Sequence, residues 1–196
     1  MLKKILVSLC LFFSFISPSL SSETIDKQLD NDYVKIFIPK NVPFGFPIKT
    51  KFFVESVQGS SYFTNETKYN CNSSHQYDWN KLTGISFTPW RPDTDSLMIA
   101  WRYLIKTDTF EIAPYFNIKT ARILPSANQT LIVEKNVPFK FYVDYKGINI
   151  ITENKSLYTP KPSDLETNFY LSFRIITWFG GSSLPPNNIY LYLRFD

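Results

Sequence analysis

The chain has 196 residues, of which 17% are aromatic and 44% hydrophobic, and its formal net charge is +4. That length suits one domain with its own core. The basic residues are spread along the chain rather than gathered into a stripe, which argues against a nucleic-acid partner, and a single histidine, His75, excludes a histidine-based metal cluster.

The first residues read "MLKKILVSLCLFFSFISPSLSS". Lys3 and Lys4 precede an apolar run from Ile5 to Ile16, broken by Ser8 and Ser14, and small residues follow. This is the layout of a secretory signal peptide, and the run is shorter than the ~20 apolar residues of a bilayer span. Ser19 and Ser21 place the expected cut after Ser21. Leu9 is too large for a lipoprotein site at Cys10. The expected product is secreted or periplasmic, with no membrane span after cleavage. Loss of Lys3 and Lys4 takes the charge from +4 to +2. Cys71 is then the sole cysteine, so no intramolecular disulfide forms. Residues 22–32 are polar and read as a flexible N-terminal segment, and 33–196 as a single β-sandwich domain.

Along that domain, Phe, Tyr, Ile, Val and Thr dominate, which is strand composition. Strands are predicted at 33–38, 47–55 and 83–88. "SLMIAWRYLI" sets Leu97, Ile99, Trp101 and Tyr103 against Met98, Ala100 and Arg102. "TFEIAPYF" sets Phe110, Ile112, Pro114 and Phe116 against Glu111, Ala113 and Tyr115. Further strands are predicted at 118–124 and 129–134. "VPFKFYVDY" sets Phe139, Phe141, Val143 and Tyr145 against Lys140, Tyr142 and Asp144, and a strand at 147–152 follows. "NFYLSFRIITW" sets Phe169, Leu171, Phe173 and Ile175 against Tyr170, Ser172, Arg174 and Ile176. "NIYLYLRF" sets Ile189, Leu191, Leu193 and Phe195 against Tyr190, Tyr192 and Arg194. No window has helical periodicity, apart from a short turn near "PSDLET" that Ser163 could cap. About eleven short strands divided by turn signals predict an all-β sandwich or barrel. "KNVPF" occurs at 40–44 and 135–139; shared turn chemistry explains the repeat better than a duplication. Four sequons begin at Asn65, Asn72, Asn128 and Asn154.

"WFGGSSLPPNN", residues 178–188, precedes the last strand. The glycine pair permits a bend or a close backbone approach, and Pro185–Pro186 hold the chain extended. With no helix after it, the stretch is not a phosphate loop. "WFGG", a proline soon after, and a terminal "IYLYL" strand together resemble the C-terminal signature of a group of uncharacterised secreted bacterial proteins. "DWNKLTGISFTPWRPDTDSLMIAWRY" and "FEIAPYF" are similar to that group's central strands. The likeness covers residues 78–118 and 169–195 and implies a concanavalin-like jelly-roll sandwich. It implies no reaction. The chain departs from the pattern at Leu184 and Asn187, where the group has Ala and His.

Catalytic options are thin. No Gly-x-Ser-x-Gly elbow occurs. Cys71 and His75 share one loop, whereas nucleophile and base ordinarily come from separated segments. Glu111, with Asp144 or Tyr115, is the alternative for a glycoside hydrolase or lyase; opposite Arg102 it equally reads as a cross-strand ion pair. Asp93 and Asp95 in "PDTDS" offer oxygens for calcium, which needs about six to eight of them, or simply form a turn. No other cofactor is expected. A non-catalytic site for a glycan or cell-envelope polysaccharide fits better: the polar strand faces carry rings beside charged groups, and rings cover the apolar face of a sugar. The candidate ligand-binding residues are Arg102, Glu111, Tyr115, Arg174, Trp178, Tyr190 and Tyr192, on one concave face, with the Gly180–Gly181 pair opening space beside Trp178. Trp90, in a loop, is a further candidate contact. A purely structural cell-envelope domain is the remaining alternative.

Overall fold

The computed structural model describes residues 33–48, 50–89, 91–180 and 183–196. The expected signal peptide 1–21 and segment 22–32 lie outside the described residues, as do Trp90 and Gly181. Among the described residues there are twelve strands: β1 (Val34–Ile38), β2 (Ser56–Phe63), β3 (Asn80–Ser86), β4 (Ser96–Leu104), β5 (Thr109–Ile118), β6 (Ala121–Ile123), β7 (Leu131–Val133), β8 (Phe139–Asp144), β9 (Gly147–Ile151), β10 (Ser156–Pro160), β11 (Phe173–Ile175) and β12 (Ile189–Phe195). Among these residues, helix is confined to four short 3-10 turns. No helix of the described residues is long and apolar enough to cross a membrane.

The strands form two antiparallel sheets. One has the order β1-β12-β2-β8-β9-β10. The other runs β11-β3-β4-β5-β6, with β7 pairing the opposite end of β5 from β6. The chain passes between the sheets at β2–β3, β7–β8, β10–β11 and β11–β12, giving a jelly-roll-like sandwich. Between the sheets lies an apolar layer built around Phe63, whose ring centroid is 4.6 Å from Phe110, 5.2 Å from Trp101 and 5.6 Å from Phe139. Such offset and tilted ring contacts add to the burial of large apolar surfaces.

The two sheets differ in their outer faces. In the first, buried and accessible positions alternate, as along β8 and β12, because one face meets water. In the second, β3 is buried throughout and β5 at every position except Thr109. A smaller apolar layer covers its outer face, formed by Trp79, Met98, Ala100, Ala113, Tyr115, Phe173 and Ile175, with Trp178 packed against it.

Several predicted elements are corrected. The described residues of 47–55 form no strand: Phe52 makes an isolated bridge to Phe173, and Phe53 has φ 55. The segment 168–178 is a strand only at Phe173–Ile175, because Asn168 caps a 3-10 turn over Phe169–Leu171. The "PSDLET" stretch makes a single turn, Leu165 N–H donating to the Pro162 carbonyl, and no helix. Strands β2 and β10 were not anticipated. In β2 the pattern is hidden by Gly59, Ser60 and Ser61, where bulk would not fit: a Cβ on Gly59 would lie 1.9 Å from the Arg194 carbonyl oxygen and 3.1 Å from Phe141. The repeated "KNVPF" is turn chemistry: Asn41 and Asn136 both have φ 62, a conformation asparagine tolerates well.

Candidate ligand-binding site

The candidate site lies on the second sheet's outer face. Along β5, Glu111, Ala113, Tyr115 and Asn117 take this face, opposite Arg102, Ala100, Met98 and Ser96 of β4. On one side, Arg122 of β6 pairs with Asn117. On the other, β3 carries an irregularity between Lys81 and Thr83 that puts Lys81 opposite Ala100, on the outer face. The backbone of Trp178 exchanges hydrogen bonds of 2.9 and 3.0 Å with Lys81, and Phe44 bridges Trp178 in turn.

These elements enclose a pocket of about 340 Å³, lined by Phe44, Lys81, Tyr115, Asn117, Arg122 and Trp178 among others. Small-molecule sites span about 300–1,000 Å³, so it is at the small end. Lys81 is only 6% exposed. Its ammonium donates to the Trp79 carbonyl at 2.6 Å and lies 4.4 Å from the Tyr115 ring centroid and 5.9 Å from that of Trp178. Burial, and then the charge of Arg122, bring the Lys81 pKa down to about 8, against a smaller opposing effect of Asp78. Burial likewise pushes the Tyr115 hydroxyl up.

Gly180 explains the glycine ahead of the last strand. A Cβ there would meet Trp178 Nε1 at 2.3 Å and its Cδ1 at 2.6 Å. The space next to Gly180 is therefore filled by the Trp178 indole, folded back over its own chain, rather than left open beside it. Asn80 holds this turn by accepting the Gly180 N–H at 3.1 Å. The Pro185 carbonyl accepts from Asn41 N–H at 3.0 Å, which ties the following segment to the loop that carries Phe44.

The seven predicted site residues do not converge. Arg102, Glu111, Tyr115 and Trp178 share the second sheet's outer face, but only Tyr115 and Trp178 line the pocket. Arg102 lies 4.2 Å over the Trp79 ring and grips Glu111 at 2.7 Å. Arg174 pairs with Ile85, a core residue, and turns inward, with its guanidinium 3.9 Å from the Phe195 ring centroid. The even spacing of Arg174 and Trp178 misleads because the β3 irregularity lies between their partners. By the same inversion Phe173 and Ile175, predicted for the core face, join the outer layer. Tyr190 and Tyr192 are on the outer face of the first sheet, stacked on Phe37 at 4.9 Å and Tyr62 at 4.6 Å.

Of the catalytic alternatives, Glu111 and Tyr115 share one face of β5, while the other groupings separate. Asp144 faces out from β8 in the first sheet, on the other side of the sandwich from Glu111. The Cys71 thiol is 3.9 Å from the Ser183 hydroxyl, while His75 Nδ1 is 3.2 Å from Asp78. Burial pushes the Cys71 pKa up, the reverse of what an activated thiolate needs. Asp93 is bound by Arg91 at 3.1 and 3.3 Å, and Asp95 accepts from Lys119 N–H at 3.0 Å. Both aspartates thus hold turns. Among the described residues no group of three or more His, Cys, Asp and Glu side chains is arranged to hold a metal ion.

Lys81, Asn117 and Arg122 were not anticipated. Asn117 continues the Glu111–Ala113–Tyr115 alternation by one step, so its face was legible. Arg122 fell in a predicted strand whose faces had not been assigned. Lys81 preceded the predicted start of its strand, and the irregularity beside it carries no period-2 signal.

No family model and no curated protein matches this chain. Among solved structures it is similar to the crystal structure of an alginate lyase from Chlorella virus, with 10% sequence identity, a TM-score of 0.45, and 86% of this chain and 85% of that chain covered.

Proposed function

We propose that the chain is an exported β-sandwich protein that binds carbohydrate, without transforming it, in the pocket between Trp178, Tyr115 and β6. The carrying observation is the pocket's composition: aromatic walls from Phe44, Tyr115 and Trp178 around the polar ends of Lys81, Asn117 and Arg122. Rings cover the C–H face of a sugar, and a few fixed polar groups orient its hydroxyls. Phe44 is 48% exposed although it belongs to this wall, which leaves apolar surface available to a ligand. Support for binding without turnover comes from the carboxylates. Among the described residues lining the pocket, Asp93 is the one carboxylate, and Arg91 holds it. Glycoside hydrolysis ordinarily uses two carboxylates flanking the bond.

A glycan array on residues 22–196, followed by calorimetry with each hit, tests this. Trp178→Ala should lower affinity several-fold, since a stacked ring contributes on the order of 1 kcal/mol. Binding that survives this change with the fold intact moves the site elsewhere. New reducing ends on incubation with any bound glycan would replace a binding module with an enzyme.

A further inference from the structure

We infer that the saccharide taken by this pocket is anionic, and that Lys81 and Arg122 read its carboxylate or sulfate. The inference rests on the carbohydrate reading above and names the class of sugar within it.

The first ground is the state of Lys81. Three lysines elsewhere meet carboxylates: Lys35 pairs with Glu66 at 3.0 Å, and Lys68 and Lys135 both pair with Asp108. Lys81 is more deeply buried than these, yet its ammonium has a backbone carbonyl and two ring faces in place of a carboxylate. Buried charges in proteins are ordinarily paired, because an isolated one forfeits its hydration. An ammonium at a pocket floor, with two of its three N–H groups left over by the Trp79 contact, is a site with its counter-charge still to come.

The second ground is Arg122. It projects from β6 on the same face and lines the same pocket. It makes no hydrogen bond or ion pair among the described residues, although its charge is felt at Lys81, Asp93 and Tyr115. Of the nearby negative groups, Asp93 is paired with Arg91, and Asp78 lies 3.2 Å from His75 Nδ1. Two cations facing one pocket, with Asp93 so held, leave a positive surplus there.

The third ground is the kind of hydrogen-bonding group present. Lysine and arginine are donors only. The Asn117 amide N–H₂ is spent on the Pro92 carbonyl at 2.9 Å and the Ser96 hydroxyl at 3.2 Å. A neutral sugar presents hydroxyls that both give and take. With Asp93 held by Arg91, the charged groups left to a ligand are donors, and they suit an acceptor-only anion, which makes charge-assisted bonds about twice as strong as neutral ones.

The test uses matched pairs on residues 22–196 by calorimetry at low salt. Oligogalacturonate is compared with its methyl ester, which keeps the skeleton and removes the charge; oligomers of other uronic acids and sulfated galactan oligomers separate carboxylate from sulfate. The charged member of at least one pair should bind at least about tenfold tighter than its neutral counterpart, and salt should shrink the difference. Arg122→Gln, an exposed position with no partner to lose, should reduce that preference by about tenfold by weakening the charged member far more than the neutral one; Lys81→Met should do the same. Trp178→Ala should weaken charged and neutral ligands alike. Neutral and charged oligomers bound equally, both sensitive to Trp178→Ala, would overturn the anion assignment and leave the carbohydrate reading standing. If Arg122→Gln weakens both members of a pair equally, the assignment also falls. Absence of binding to every oligomer overturns both.

Discussion

Lys81→Met should stabilise the unliganded protein at neutral pH. The lysine is buried, and its pKa is brought down from 10.5 to about 8, chiefly by burial. Each pKa unit corresponds to about 1.4 kcal/mol, so the charged form costs the folded state on the order of 3 kcal/mol at pH 7. Methionine has a similar unbranched stem and no charge to desolvate. It loses the 2.6 Å bond to the Trp79 carbonyl and the contact with the Tyr115 ring, worth about 1 kcal/mol each. The net expectation is a gain of about 1 kcal/mol at pH 7. The sign reverses with pH. Between about 8 and 10.5 the unfolded lysine holds its proton and the folded one has released it, so wild-type stability rises across that window. By about pH 9.5 some 2 kcal/mol has been recovered, and wild type should equal or exceed the variant. Tyr103, pushed up to about 12, and Tyr115, also raised, stay protonated at that pH and do not blur the comparison. Urea unfolding of both proteins at the two pH values reads this directly. A variant less stable than wild type by the same amount at both would refute the claim that Lys81 is held at a cost.

Three further outcomes are expected. Gly180→Ala places a methyl 2.3 Å from Trp178 Nε1, so the indole must move. Stability should fall by about 1–3 kcal/mol in urea and saccharide affinity should fall with it; unchanged binding in calorimetry would detach the indole from the site. Glu111→Gln keeps an acceptor for Arg102 but removes the charge; a loss of about 1–3 kcal/mol is expected because the pair is largely buried, with saccharide binding intact, and lost binding would return Glu111 to the site. Asp108→Asn should flatten the acid limb of the stability profile. Lys135, Lys68 and the Tyr103 hydroxyl all hold the Asp108 carboxyl well below its usual range, so its contribution is present above about pH 4 and is lost as pH falls toward the folded value; an unaltered acid limb in the variant would assign that limb to other carboxylates.

How much of this was legible in the sequence depended on whether a strand had one wet face. β8 and β12 do, and their alternation placed Phe139, Phe141, Val143, Ile189, Leu191 and Leu193 inward as predicted. β4 and β5 are covered on both sides, yet Trp101 and Phe110 were still assigned to the right face because their alternation is unbroken. Prediction failed where backbone irregularity replaces periodicity. The 3-10 turn at Phe169–Leu171 and the irregularity between Lys81 and Thr83 each shift a face without any change in residue type that announces it. Arg174 was thereby assigned to the wrong side, and Lys81 was missed. Tyr190 and Tyr192 were correctly given an outward face, but alternation states a face relative to the strand, not which of two sheets the strand joins. Residues from β5 and β12 were therefore merged into one site that the fold divides.

The pocket is also where the fold departs from what stability alone selects. A sandwich of this size gains from apolar closure of both sheets, and the outer layer over β3, β4 and β5 provides it with Met98, Ala100, Ala113 and Ile175. At its edge that closure stops. Lys81 stands where an aliphatic side chain would complete the layer, Phe44 is left half-exposed, and Trp178 is folded onto a glycine that costs the unfolded chain nothing and the folded chain entropy. Each feature has a local explanation, but they adjoin one another and open on the same space. A purely structural domain would gain by replacing Lys81 with methionine and filling the pocket. A domain whose ligand supplies the missing negative charge would not, because the ligand's binding energy restores in the complex what the empty protein forgoes. The two cases diverge in one measurement. Saturating oligouronate should stabilise wild type by about 1.4 kcal/mol more than Lys81→Met if the affinities differ tenfold, which exceeds the variant's advantage of about 1 kcal/mol, so the ranking of the two proteins at pH 7 inverts on adding ligand; equal shifts in both would show that the lysine has no part in binding.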